Sequence, residues 1–162
     1  MVELIATMMI VGILLGAAVP MLSKIGTQKP RAAARIVRKD LATARELAVA
    51  TGRRVWLRFT AASASYTMWN EVWGSPGAAS ATQATDPGTG AAFNRRLGVD
   101  DFSGVTMTVN FDSTANIGFD WLGQPLNANE TSLSASGVVT LTGTSGSASV
   151  NVTPVTGVVT QP

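Results

Sequence analysis

The sequence predicts an α+β domain: a long N-terminal helix, membrane-spanning in its first half, packed on an antiparallel β-sandwich-like head. Three observations predict it. Residues 4–22 are 19 consecutive uncharged residues. Residues 23–51 keep a helical period, with apolar side chains on one half-circle and basic ones on the other. After Gly52 the period switches from 3.6 to two.

The first element is the uncharged span. As a helix, 19 residues cover ~28 Å, close to the thickness of a bilayer's hydrocarbon core. Its apolar members include Leu4, Ile5, Met8, Ile10, Val11, Ile13, Leu14, Leu15 and Val19. A cleaved signal peptide has a shorter apolar core behind a basic segment, and residues 1–3 are not basic. Glu3 stands at the start of the span and Pro20 near its end. A carboxylate at a helix N-terminus is favoured by the helix dipole. An ionisable group beside a bilayer span also marks function and calls for a partner. Pro20 removes one internal hydrogen bond and kinks or locally opens the helix.

The helix continues beyond the span. Ile25, Ala33, Ile36, Val37, Leu41, Ala44, Leu47 and Ala48 share one face; Lys24, Arg31, Arg35, Arg38, Lys39 and Arg45 share the other. Gly52 ends the run as a C-terminal cap. Residues 1–52 are thus one helix, half of it projecting and half packing a stripe on residues 53–162. Asp40 falls on the apolar face, and the expectation is a carboxylate paired with Arg54 or Arg58.

The head reads as short strands: Val55–Phe59, Tyr66–Trp73, Val105–Phe111, Ile117–Trp121, Gly137–Leu141, Ser147–Val152 and Val155–Thr160. Their spacing fits an antiparallel sandwich. Residues 74–92 hold one charge and no large apolar side chain, which predicts a long surface loop. Its hydroxyls, such as Ser75 and Thr82, are candidate glycan sites.

Composition excludes much chemistry. The chain has no Cys and no His, which removes thiol catalysis, disulfides, imidazole bases and the usual zinc sites. No phosphate-binding glycine loop, metalloprotease helix or serine-hydrolase elbow is present. Asp112, Thr114, Asn116 and Gly118 have a faint calcium-loop spacing without its terminal Glu, and an Asx-rich turn is the favoured explanation. No catalytic residue, cofactor or metal is expected.

Charge is polarised. Residues 24–58 hold ten basic residues against two acids, and residues 59–162 hold two against seven. A basic shaft thus carries an acidic head. Arg31, Arg35, Arg38, Arg45, Arg53 and Arg54 form a basic stripe whose like-charge spacings favour an anionic neighbour. Candidates are lipid headgroups, the acidic head of another copy, or nucleic acid. Asp100, Asp101, Asp112 and Asp120 are the expected partners on a neighbouring head. Trp56, between Arg54 and Arg58, is the one stacking candidate for a nucleic acid.

The segment from Val2-Glu3-Leu4 to Val19-Pro20 resembles the N-terminal helix of type IV pilins and type II secretion pseudopilins. Glu3 matches that family's glutamate and Pro20 its helix-breaking proline. More weakly, Asp40–Ala48, Gly52–Leu57 and Ile117–Pro125 resemble the GspH/FimT-like minor pseudopilins. The resemblance implies a structural subunit, not an enzyme, that polymerises through its hydrophobic helix into a type IV pilus-like or type II secretion filament. It implies a precursor in the inner membrane and then a periplasmic or extracellular filament. The implied partners are copies of the chain and other pilins, an inner-membrane assembly platform and a prepilin peptidase. Glu3 would meet the N-terminal ammonium of an adjacent subunit. Ahead of Met1 the resemblance implies a basic leader ending in Gly and two further residues; Met1 stands where Leu is usual. A DNA-binding minor pilin acting in DNA uptake is the alternative, less favoured because Gly157-Val158-Val159-Thr160 lacks the arginines of such members' C-terminal motif.

Overall fold

The structure, a computed structural model, describes the backbone of every residue except Met1, Pro76 and Ser145, and the side chains of residues 7–12, 28–75, 77–144 and 146–162. The side chains of Glu3, Leu4, Ile5, Ile13, Leu14, Leu15, Val19 and Pro20 lie outside the described residues. Among the described residues no helix is long and apolar enough to cross a membrane.

Helix α1 spans Val2–Thr51, 50 residues. It ends as the sequence predicts. Gly52 takes φ +65°, a left-handed conformation cheap only for glycine, and Arg53 N donates to Ala48 O at 3.3 Å, the bond of a Schellman cap. Ala33, Ala34, Val37, Leu41, Ala44 and Ala48 are buried completely. These are mostly small residues, so the helix backbone comes close to the strands beneath it.

Among the described residues ten antiparallel strands follow, in two sheets. The first has the order β3-β2-β1-β6-β7: β1 is Val55–Thr60, β2 Ser65–Asn70, β3 Thr82–Gln83, β6 Asn116–Phe119 and β7 Pro125–Leu126. Strand β4, Asn94–Arg96, also pairs β2, so β3 and β4 divide the outer edge of β2 between its two ends. The second sheet has the order β10-β9-β8-β5: β5 is Thr106–Asn110, β8 Gly137–Gly143, β9 Gly146–Val152 and β10 Val159–Thr160. The helix lies against β1, β8 and β9. Val55, Leu57 and Phe59 on β1 join the helix stripe, Phe111, Ile117, Phe119, Val139, Leu141 and Val150 in one core. The architecture is therefore α+β, with a helix packed on antiparallel sheets.

Four expectations change. First, Trp56 is not a surface aromatic. It points away from the helix but is buried under Ala81 and Leu126, and Gly118 beneath it is required because a Cβ there would stand 2.5 Å from the ring. Second, residues 74–92 are not a bare loop. They contain β3 and a Thr85–Ala92 bridge, and Ala81 and Ala84 are buried, since alanine is small enough to seat against the sheet. Third, β2 stops at Asn70, and the strand expected over Val155–Thr160 is reduced to Val159–Thr160, the residues before it forming a turn with Val155 at φ +69°. Fourth, Asp40 pairs with neither Arg54 nor Arg58. It accepts from Tyr66 Oη at 2.7 Å and Arg95 Nε at 3.2 Å, because its place on the helix faces β2 and β4.

Candidate interaction surfaces

The six predicted arginines do not share one surface. Arg31, Arg35 and Arg38 are exposed on successive turns of α1. Arg35 and Arg38 line a groove of about 660 Å³ with Lys39, Ala42, Thr43, Glu46 and Gln161. Arg31 extends the row beside Ser147 of β9. Among the described residues, none of these three arginines has an ion pair. Arg45 leaves the row: its Nε donates to Gly123 O at 3.2 Å, bracing a turn of the head.

Arg54 is engaged within the head. Its guanidinium lies 2.8 Å from Glu130 and 3.9 Å from Glu71. The same carboxylates accept from Gly77 N and Ala78 N. This cluster staples residues 77–78 to β1 and to the turn at Asn127–Glu130, and so holds the cover over Trp56. Arg58 donates to Ala78 O and lies over the Trp69 ring at 4.2 Å. Arg53 is exposed and, among the described residues, has no ion pair, its guanidinium 5.4 Å from the Trp73 ring. Sequence reasoning missed the staple because its acids lie 17 and 76 residues from Arg54.

Of the four aspartates expected on a neighbouring head, two are occupied within the chain. Asp112 accepts from Ser134 N and Oγ, both at 2.8 Å, and these bonds lower its pKa from the ordinary carboxylate value. These bonds reach across 22 residues; the local turn the sequence suggested is closed instead by Phe111 and Thr114, with Asn110 Oδ1 accepting from Ser113 N at 2.9 Å. Asp120 Oδ1 accepts from Leu122 N and Gln124 N. Asp100 and Asp101 are exposed and, among the described residues, carry no ion pair.

An apolar cap that the sequence did not reveal surrounds the C-terminal end of α1. Two turns meet there. A Cβ on Gly123 would touch Arg45 and Val49, and one on Gly157 would strike Gly123 O, so no larger residue fits between the turns. Around this junction Val49, Trp121, Leu122, Val155 and Val158 stand 47–62% exposed. Val155 is held out by a turn closed by Thr156 N to Pro154 O at 2.8 Å. A β-branched residue at positive φ is strained by about 1–3 kcal/mol. Trp73, 80% exposed, stands beside Arg53 at the same end of the helix.

A single long helix laid on two antiparallel sheets can be compared with known structures. The minor pseudopilin EpsH from the type 2 secretion system of Vibrio cholerae superposes with a TM-score of 0.62, over 83% of this chain and 96% of that one, at 9% identity. This is the pilin fold. The type IV minor pilin FimU of Pseudomonas aeruginosa matches with a TM-score of 0.55, over 83% of this chain and 89% of its own, at 12% identity. At such identities the likeness is one of fold. No protein-family profile matches the chain, and no curated protein does. Within the pilin fold, both the arginine row and the apolar cap sit on faces of α1 and its adjoining turns that the head leaves uncovered.

Proposed function

We propose that the chain is a structural subunit, without enzymatic activity, that polymerises through its N-terminal helix into a type IV pilus-like or type II secretion filament. The observation that carries this reading is a helix far longer than its head needs. Residues 33–48 supply the buried stripe, whereas Met8, Met9, Ile10 and Val11 on the same helix are more than half exposed. In water so much bare apolar surface is unfavourable. A bilayer before assembly, and the helices of neighbouring copies after it, would both cover it. Residues 4–22 thus serve as inner-membrane anchor and then as filament core, with the head periplasmic or extracellular. A prepilin peptidase, an inner-membrane assembly platform and other pilins are the partners this implies.

Glu3 is the residue that distinguishes a filament core from a plain anchor. In an apolar core it needs a cation, for which the N-terminal ammonium of an adjacent copy serves. Removing one member of a buried pair leaves the other charge uncompensated, at about 3–5 kcal/mol. Cells carrying Glu3→Ala should retain the chain in the inner membrane and lose filaments under the electron microscope. Undiminished filaments would refute the pairing.

The DNA-uptake alternative draws on the unpaired arginine row. It is weakened by Arg54, whose partners are Glu71 and Glu130, and by Trp56, which is buried. Salt-sensitive duplex binding lost on replacing Arg31, Arg35 and Arg38 would restore it.

A further inference from the structure

We infer that the apolar cap is a docking surface for a second copy of this chain, and that it receives the Val99–Asp101 turn of that copy. The inference rests on the filament reading above and names a contact within it. The cap combines Trp121, Leu122 and Val49 with the Arg45 guanidinium, whose Nε is bonded to a carbonyl, and at the same end of the helix Arg53 stands over Trp73 with no ion pair among the described residues. Its complement is therefore an apolar side chain flanked by carboxylates.

The head carries such a feature. Apart from the cap and Trp73 beside Arg53, Val99 is the exposed large apolar residue of the head among the described residues. It is followed by Asp100 and Asp101, both exposed and without an ion pair among the described residues. Lys29 beside this turn donates to Ser103 O, not to either carboxylate.

Placement fits a repeating contact. The acidic turn adjoins the early part of the packed helix, where Lys29 reaches Ser103 and Ile36 shares a groove with Phe102. The cap adjoins Val49 at the helix end. From Lys29 to Val49 is about 30 Å along the axis. Two different, complementary surfaces at opposite ends of one head make a heterologous contact, which propagates into an open assembly and does not close as a dimer.

The absence of cysteine makes the test specific. The full chain is expressed in its own cells as Val99→Cys, Leu122→Cys and the combination, and filaments are oxidised before denaturing electrophoresis. The combined variant should give a ladder of dimers, trimers and longer species, and each single variant only monomer. Filaments that form without a ladder would overturn the contact and leave the filament reading standing. No filaments from the unsubstituted chain would remove that reading and the contact with it. Charge reversal provides the second arm, applied also where the cysteine pair itself blocks assembly. Arg53→Glu should cut filament number about tenfold, since like charges at a contact oppose association, and Asp101→Lys in the same chain should restore it. Failure of Asp101→Lys to restore filaments would overturn the contact.

Discussion

Tyr66 is the only tyrosine in the chain, and its buried hydroxyl donates to Asp40 Oδ2 at 2.7 Å. Burial first, and then the Asp40 charge, raise its pKa well above the ordinary phenol value, with Arg95 opposing. Below about pH 10 folded and unfolded chains both keep this proton. Above that the unfolded chain releases it while the folded chain holds it, so stability falls as pH climbs from there towards the folded pKa. Tyrosinate absorbance reads this one group alone: it should stay silent past pH 10 and appear only as the chain unfolds. Tyr66→Phe should lower stability at neutral pH by about 1.5–3 kcal/mol, the range for a hydrogen bond to a charged group, and flatten the alkaline decline. Chemical denaturation across pH checks both. At this scale the sequence was partly legible. Asp40 stood out as a carboxylate on an apolar face, but its partners lie 26 and 55 residues away, and Arg95 was hidden in a segment without a recognisable strand period.

The elements divide by how local their causes are. Helix α1 follows from its own period and its glycine cap, and most of its buried stripe could be read directly. Leu41, wholly buried, tests how tightly that stripe fits: Leu41→Ala should cost about 2–5 kcal/mol in a melting experiment. Alternation exposed β1, β5, β8 and β9 in the same way. The short strands β3, β4 and β7 did not announce themselves, because two or three residues show no period and their pairing is decided by distant neighbours. The staple over Trp56 belongs to this class. Glu130→Ala should release residues 77–78, speed proteolytic nicking of that segment and redden tryptophan emission as Trp56 meets water. Unchanged cleavage and emission would mean that Ala81 and Leu126 hold the cover alone. The apolar cap was illegible for a related reason. Trp121, Leu122, Val155 and Val158 sit in sequence among residues that also read as strands, and only the meeting of two turns on Arg45 shows them facing outward.

For the whole molecule the main determinant is the separation of charge between shaft and head. With no histidine, no side chain has an unperturbed pKa between about 5 and 8, so this charge map is constant there. Filament yield at pH 6 and pH 8 should agree within about twofold; a steeper dependence would point to the N-terminal ammonium facing Glu3 or to a perturbed side chain at a subunit contact. The laying of α1 lengthwise on β1, β8 and β9 has a mechanical consequence. A pull along the helix axis strains every buried contact from Ala33 to Ala48 at once, in shear. A sideways pull opens the same seam from one end, a contact at a time. The head is thus fastened to its shaft most strongly against axial tension, the direction in which a thread bears its load.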